Sequence, residues 1–266
     1  MVSKFVSIEG ITIHYSLDGL QEGIPLVFIN SLGTDLRLWD KLVPHFAEKF
    51  RVIRYDKRGH GLSDAPPGPY SIRDHANDLS GLLAHLQIHQ PILIGISVGG
   101  MIALDYAASQ PNNVRALVLC DTGAKIGSIE MWNARITSVR NNGMASIGEE
   151  VLARWLTPNF IEQHPADYRG YLNMLTRTSV IGYAATCEAL RDADLTDIVR
   201  TIPTKSLVLC GSEDVATPPS LGRELAEALT DARFELIEQA GHLPPLEQPE
   251  AMAVKINQFL QENRYV

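Results

Sequence analysis

Cysteine is scarce in this 266-residue chain. Cys120, Cys187 and Cys210 make an odd count, with none of the paired spacings that build a disulfide framework or a metal site. Cys120 and Cys210 each end an apolar run and read as small core residues, so the thiols point to a reducing, cytoplasmic setting. Positive charge is also in short supply. The 23 Lys and Arg against 31 Asp and Glu leave a net charge of −8, and no basic stripe is available to neutralise the phosphates of a nucleic acid. An anionic small molecule would need a local cationic spot to bind against that field. No apolar run approaches the ~20 residues of a membrane span, and the first residues, Met1 to Val6, are strand-like rather than signal-peptide-like. The eight histidines lack metal-ligand spacing, which argues against a metallohydrolase and predicts no metal. Internal repeats and low-complexity segments are absent too.

What the chain does have is a serine between glycines. Gly95-Ile96-Ser97-Val98-Gly99 follows the apolar run Pro91-Ile92-Leu93-Ile94 and precedes helix-like Met101-Ile102-Ala103-Leu104. A strand feeding a Gly-x-Ser-x-Gly turn and then a helix is the pattern of a nucleophile elbow. Glycine is needed there because flanking side chains would collide with the neighbouring strand and helix. An acid and a histidine should follow the serine, each after a later strand. The apolar run at 205–210 leads into Gly211-Ser212-Glu213-Asp214, and the strand-like run at 234–238 leads to Gly241-His242. Asp214, its neighbour Glu213, and Asp121 at the end of the 116–120 run are all candidates for the acid. The oxyanion hole would use the backbone N–H groups of Val98, next to the nucleophile, and of Leu32, in the loop after the third strand. His60, in an Arg-Gly-His-Gly turn, reads as a residue that fixes local structure.

Hydrophobic residues at 45% and charged residues at 20% are ordinary for a globular protein, and the length suits one large α/β domain with room for an insertion. Residues 4–8 and 11–17 alternate around Glu9-Gly10 and predict a hairpin. Strand-like runs then fall at 25–30, 50–55, 91–96, 116–120, 205–210 and 234–238. Helix-like segments lie between and after them near 38–48, 71–88, 98–109, 219–229 and 249–263. This alternation predicts a mostly parallel, eight-stranded sheet flanked by helices. The rhythm breaks between about 123 and 205, where the composition is helical. A structureless loop that long would contradict the fold, so a helical cap inserted after the sixth strand is expected. The boundaries that follow are residues 1–123 and 198–266 for the core and 124–197 for the cap.

These motifs resemble the α/β-hydrolase fold over essentially the whole chain. Three segments are similar to 3-oxoadipate enol-lactonases within it: Asn30-Ser31-Leu32-Gly33-Thr34-Asp35-Leu36-Arg37-Leu38-Trp39-Asp40, Tyr55-Asp56-Lys57-Arg58-Gly59-His60-Gly61-Leu62-Ser63, and the stretch from Gly182 to Asp192. The middle one is shared widely across the fold. The first and last are more specific, and Asn30-Ser31 stands where many hydrolases of this fold carry a His-Gly pair. The acid-to-proline spacing of 214–219 is similar to the family's acid loop, which favours Asp214 over Glu213 and Asp121. The resemblance implies Ser97 as nucleophile, His242 as base and Asp214 as its orienting acid. It also implies a small anionic lactone as substrate, aromatic-compound catabolism as the setting, and no cofactor.

A free carboxylate on the substrate calls for an arginine. The cap offers Arg135, Arg140, Arg154, Arg177 and Arg191, and Arg135 is favoured because Trp132 lies three residues before it on the same helix face. Trp132 and Trp155 are the expected pocket walls. The rival readings are a hydrolase of carbon–carbon bonds in ring-cleavage products, a general carboxylesterase, and a non-catalytic small-ligand receptor. A haloalkane dehalogenase is disfavoured because that chemistry uses an aspartate where Ser97 stands.

Overall fold

The computed structural model describes residues 2–265, so Met1 of the strand-like N-terminus lies outside it. Eight strands form one sheet: β1 (Val2–Ile8), β2 (Ile11–Gly19), β3 (Ile24–Ile29), β4 (Phe50–Tyr55), β5 (Ile92–Ile96), β6 (Ala116–Cys120), β7 (Ser206–Gly211) and β8 (Ala232–Ile237). Their spatial order is β1-β2-β4-β3-β5-β6-β7-β8. The hairpin β1–β2 and the β2–β4 pair are antiparallel, and every other pair is parallel. The central strands β5, β6 and β7 are buried along their whole length. That explains their continuous apolar runs, since helices cover both faces of a parallel sheet.

The helices α1 (Ile72–His85) and α2 (Val98–Ser109) flank the sheet. Ser71 and Asp74 close a capping box at the start of α1, satisfying N–H groups that would otherwise lack partners. The helix expected near 38–48 does not form. Two 3₁₀ turns, Leu36–Trp39 and Val43–His45, take its place. Pro44 explains the break: it has no N–H to donate to the turn before it, so a helix cannot run through it, and a new turn starts there instead.

Between β6 and β7 lie six helices: α3 (Ile129–Asn142), α4 (Gly148–Trp155), α5 (Pro158–Gln163), α6 (Pro165–Thr176), α7 (Val180–Asp192) and α8 (Thr196–Val199). Every residue of α7 from Gly182 to Leu190 is buried. Gly182 meets Gly59 of the core back to back, and a Cβ on Gly182 would sit 2.2 Å from the Gly59 Cα. Two glycines therefore let the insertion touch the core backbone to backbone. After β7 come α9 (Pro219–Ala228), the short α10 (Pro244–Glu247) and α11 (Pro249–Glu262).

The chain runs from β3 outward to β4 on one side, then returns to β5 on the other. The crevice beyond the carboxyl ends of β3 and β5 is thus a topological switch point, where ligands bind in open α/β sheets. Ser31 and Leu32 follow β3, and Ser97 follows β5.

Candidate active site

Ser97 joins β5 to α2 at φ 56° and ψ −122°, a backbone conformation that side-chain-bearing residues rarely hold. The strain is held from several directions. The Ser97 N–H donates to the Cys120 carbonyl at 2.9 Å, and its own carbonyl accepts from the Thr122 hydroxyl at 2.7 Å. The flanking glycines are sterically required: a Cβ on Gly95 would lie 2.3 Å from the Gly99 carbonyl oxygen, and one on Gly99 would lie 2.1 Å from that of Ile29.

His242 and Asp214 occupy the loops after β8 and β7. The His242 Nδ1 lies 2.9 Å from the Asp214 Oδ2, and both side chains are buried. Asp214 also accepts from the backbone N–H groups of Ala216 at 2.7 Å and Thr217 at 3.0 Å, and from the Thr217 hydroxyl at 2.6 Å. Burial alone would raise the carboxyl pKa, but His242 and the Thr217 donors outweigh it and hold Asp214 below the ordinary carboxylate range.

The two competing acids occupy different environments. Glu213 is exposed. Asp121 is fully buried, with its Oδ1 accepting the Gly211 N–H at 2.8 Å. Burial and the adjacent Asp214 charge push the Asp121 carboxyl well up, which favours its neutral form beneath the Asp214–His242 contact. Asp121, Cys210 and Asp214 place one donor atom each within 4.8 Å of the others. Their chemistry does not suit a cation, because burial keeps the Cys210 thiol protonated and hydrogen bonds already occupy Asp214.

Ser97 and His242 share a cavity of about 60 Å³ with Ser31, Leu32, Trp132, Arg135, Arg154, Trp155, Tyr183 and Thr217 among its walls. The insertion thus brings Trp132, Trp155 and the favoured Arg135 to the serine, and Arg154 with them. Arg135 donates to the Tyr183 hydroxyl at 3.3 Å and lies 3.5 Å from Glu150. The other cap arginines are placed elsewhere. Arg140 pairs with Glu188, Arg191 with Asp192, and Arg177 lines a separate cleft beside His14 and Asp56. Among the described residues, the N–H groups of Leu32 and Val98 donate to no protein acceptor.

Three further residues support this site, and of them only Lys57 lies in a recognisable motif, the Tyr55–Ser63 segment. Thr217 bridges Asp214, His242 and the Asp121 carbonyl; its position three residues after the acid, a turn-forming interval, is the one available hint. Glu247 accepts from the Gly241 N–H and from the Thr157 N–H and hydroxyl, tying the histidine loop to the start of α5. Lys57 is fully enclosed beneath the Ser31 loop. The helical insertion also holds the histidine directly, through the His242 N–H to the Trp155 carbonyl at 2.8 Å.

Residues 26–255 match the model of the alpha/beta hydrolase family. The chain is 37% identical over 243 residues to 3-oxoadipate enol-lactonase 2 of Acinetobacter baylyi, which covers 91% of each chain. It is 31% identical over 242 residues to 3-oxoadipate enol-lactonase 1 of the same organism, covering 91% of this chain and 90% of that one. An enol-lactonase from Burkholderia xenovorans superposes with a TM-score of 0.94 at 37% identity, covering 97% of this chain and 100% of its own. Since the matched stretch runs from β3 into α11, through every element that carries the serine, the acid and the histidine, the chain belongs to the alpha/beta hydrolase family and acts on ester bonds.

Proposed function

We propose that the protein hydrolyses 3-oxoadipate enol-lactone to 3-oxoadipate, with Ser97, His242 and Asp214 as the triad and residues 124–197 as a cap over the substrate. One observation carries the reading: a compact cavity holds the serine and histidine at its base and two arginines and two tryptophans on its cap side. A small ring ester bearing a carboxylate fits that chemistry, with the guanidinium of Arg135 or Arg154 matching the carboxylate and the indoles walling the ring.

His242 takes the Ser97 proton as the hydroxyl oxygen attacks the lactone carbonyl carbon. Asp214 holds the imidazole with Nδ1–H toward itself and stabilises the imidazolium. Negative charge develops on the carbonyl oxygen, where the Leu32 and Val98 N–H groups receive it. Collapse of the tetrahedral intermediate breaks the ring C–O bond. The enol oxygen leaves with a proton from His242 and tautomerises to the ketone, while the chain stays esterified to Ser97. Water, deprotonated by His242, then attacks the acyl-enzyme and releases the acid and the serine. The three buried thiols suit a cytoplasmic setting for this chemistry.

The test is steady-state hydrolysis of freshly generated enol-lactone beside p-nitrophenyl acetate and a ring-cleavage dienoate, by wild type and Ser97→Ala. The expected result is a strong preference for the lactone that vanishes in the variant. Equal, weak turnover of all three substrates overturns the substrate assignment, and lactone turnover that survives without Ser97 overturns the nucleophile.

A further inference from the structure

Among the described residues, Lys57 is the one lysine whose side chain is wholly enclosed, at 1% exposure. Enclosure opposes its charge and outweighs the attraction of Asp56 and Asp35, so its pKa falls from 10.5 to about 7. A methionine of similar length would fill the same space without that penalty. The structure shows what the amine is doing there. Its Nζ donates to the Ser31 carbonyl at 2.6 Å, and the same oxygen accepts from the Thr34 hydroxyl at 3.0 Å and the Thr34 N–H at 3.3 Å.

The Ser31 carbonyl is one end of the peptide whose other end is the Leu32 N–H. A trans peptide is planar, with C=O and N–H pointing in opposite directions. Pinning the carbonyl onto Lys57 therefore turns the Leu32 N–H away from the lysine, and Ser31 and Leu32 both line the cavity that holds Ser97. The next peptide is held as well: the Gly33 N–H donates to the His60 Nε2 at 2.9 Å, and the His60 Nδ1 donates to the Arg58 carbonyl at 3.1 Å. Burial, then the Lys57 charge, hold His60 well below its ordinary pKa, so the ring is neutral and its Nε2 is free to accept. Both peptides around Leu32 are thus fixed by side chains of one turn, residues 57–60.

We infer that Lys57 is a positioning residue for the oxyanion hole: its amino group holds and polarises the Ser31 carbonyl, which aims the Leu32 N–H at the reacting oxygen and strengthens it as a donor. Successive hydrogen bonds polarise one another, so a donor on the carbonyl strengthens the N–H at the other end of the same peptide. The effect belongs to the transition state, because the charge that Leu32 meets develops only there. The groups around the ammonium are Asp56 and Asp35, which favour its charge, and His60 and His75, both held neutral by burial and by Lys57 itself.

The inference rests on Ser97 chemistry with a Leu32 oxyanion donor, and the test separates the two. Lys57→Met and Lys57→Gln are compared with wild type and Ser97→Ala on the enol-lactone and on p-nitrophenyl acetate. Lys57→Met should lower kcat about tenfold or more on both esters, with KM within about twofold. Affinity for phenylboronic acid, which becomes tetrahedral on the serine, should fall in the same proportion. Lys57→Gln, which keeps a neutral donor, should lie between Lys57→Met and wild type, and it carries the test if the methionine variant does not fold. A wild-type kcat in either folded variant, with Ser97→Ala inactive, overturns the role of Lys57 and leaves the serine mechanism standing. Full activity in Ser97→Ala overturns both.

Discussion

The carboxyl rim of the sheet and the helical insertion above it build the two halves of one cavity by different means. At the rim, backbone does the placing. Ser97 is held on a strained turn between β5 and α2, and Asp214 and His242 sit on loops directly after β7 and β8. In the insertion, side chains do it: Trp132 donates its indole N–H to the Ile126 carbonyl at 2.7 Å, and Arg135 leans on the Tyr183 hydroxyl. Backbone placement tolerates almost no adjustment, whereas a guanidinium on a flexible stem can follow its ligand. The two halves meet at the histidine, whose N–H donates to the Trp155 carbonyl of the insertion at 2.8 Å; on the proposed function, the rim carries the reacting groups and the insertion adds the substrate-facing arginines.

That division is broken most severely at the acid. Asp214→Asn should lower kcat by about 10⁴-fold, because the amide favours the wrong imidazole tautomer; steady-state rates of the purified variant measure it. A loss below tenfold would show that the rim is less exacting than its geometry implies. On the insertion side, Arg135→Ala should raise KM for the anionic lactone by about 10- to 100-fold, the loss of one charge-assisted pair. Its kcat and its kinetics on p-nitrophenyl acetate should stay near wild type. An equal effect on the neutral ester would mean that Arg135 shapes the cavity rather than reading charge.

The contact between the halves sharpens the comparison. Gly182→Ala drives a methyl group into the Gly59 backbone and should destabilise the protein by about 1–3 kcal/mol, read as a lower Tm. Lys57 provides a pH-dependent test. Its folded pKa of about 7 lies below its unfolded value, so burial of the charge opposes folding fully below pH 7, and the penalty fades as pH rises toward 10.5. Lys57→Met should therefore gain most in denaturant midpoint over wild type at pH 6, and least near pH 10. The smallest effect is expected at Asp121→Asn. The amide mimics the neutral acid, so kcat should change by less than about threefold.

Much of this molecule is legible before folding is considered. The period-two hairpin, the buried strand runs and the glycines around Ser97 follow from local sterics and burial, and they match the observed elements to within two or three residues. The helix expected near 38–48 does not form because Pro44 lacks the N–H that a continuous helix would need there. The spacing from Trp132 marks out Arg135, which lines the cavity, whereas Arg154 lines it too with no local mark to distinguish it among the five cap arginines.

Sequence by itself determined the order of strands and helices, the strained serine turn, and the succession of serine, acid and histidine, because each depends on residues near one another in the chain. Tertiary structure decided which of three acids pairs with His242, which two of five arginines line the serine's cavity, and that a lysine 26 residues from Ser31 grips its carbonyl. Those outcomes depend on burial and on distances between segments remote in sequence. A carboxyl is an ion or a neutral prop, and a lysine a surface charge or a buried clamp, only once its neighbours are in place.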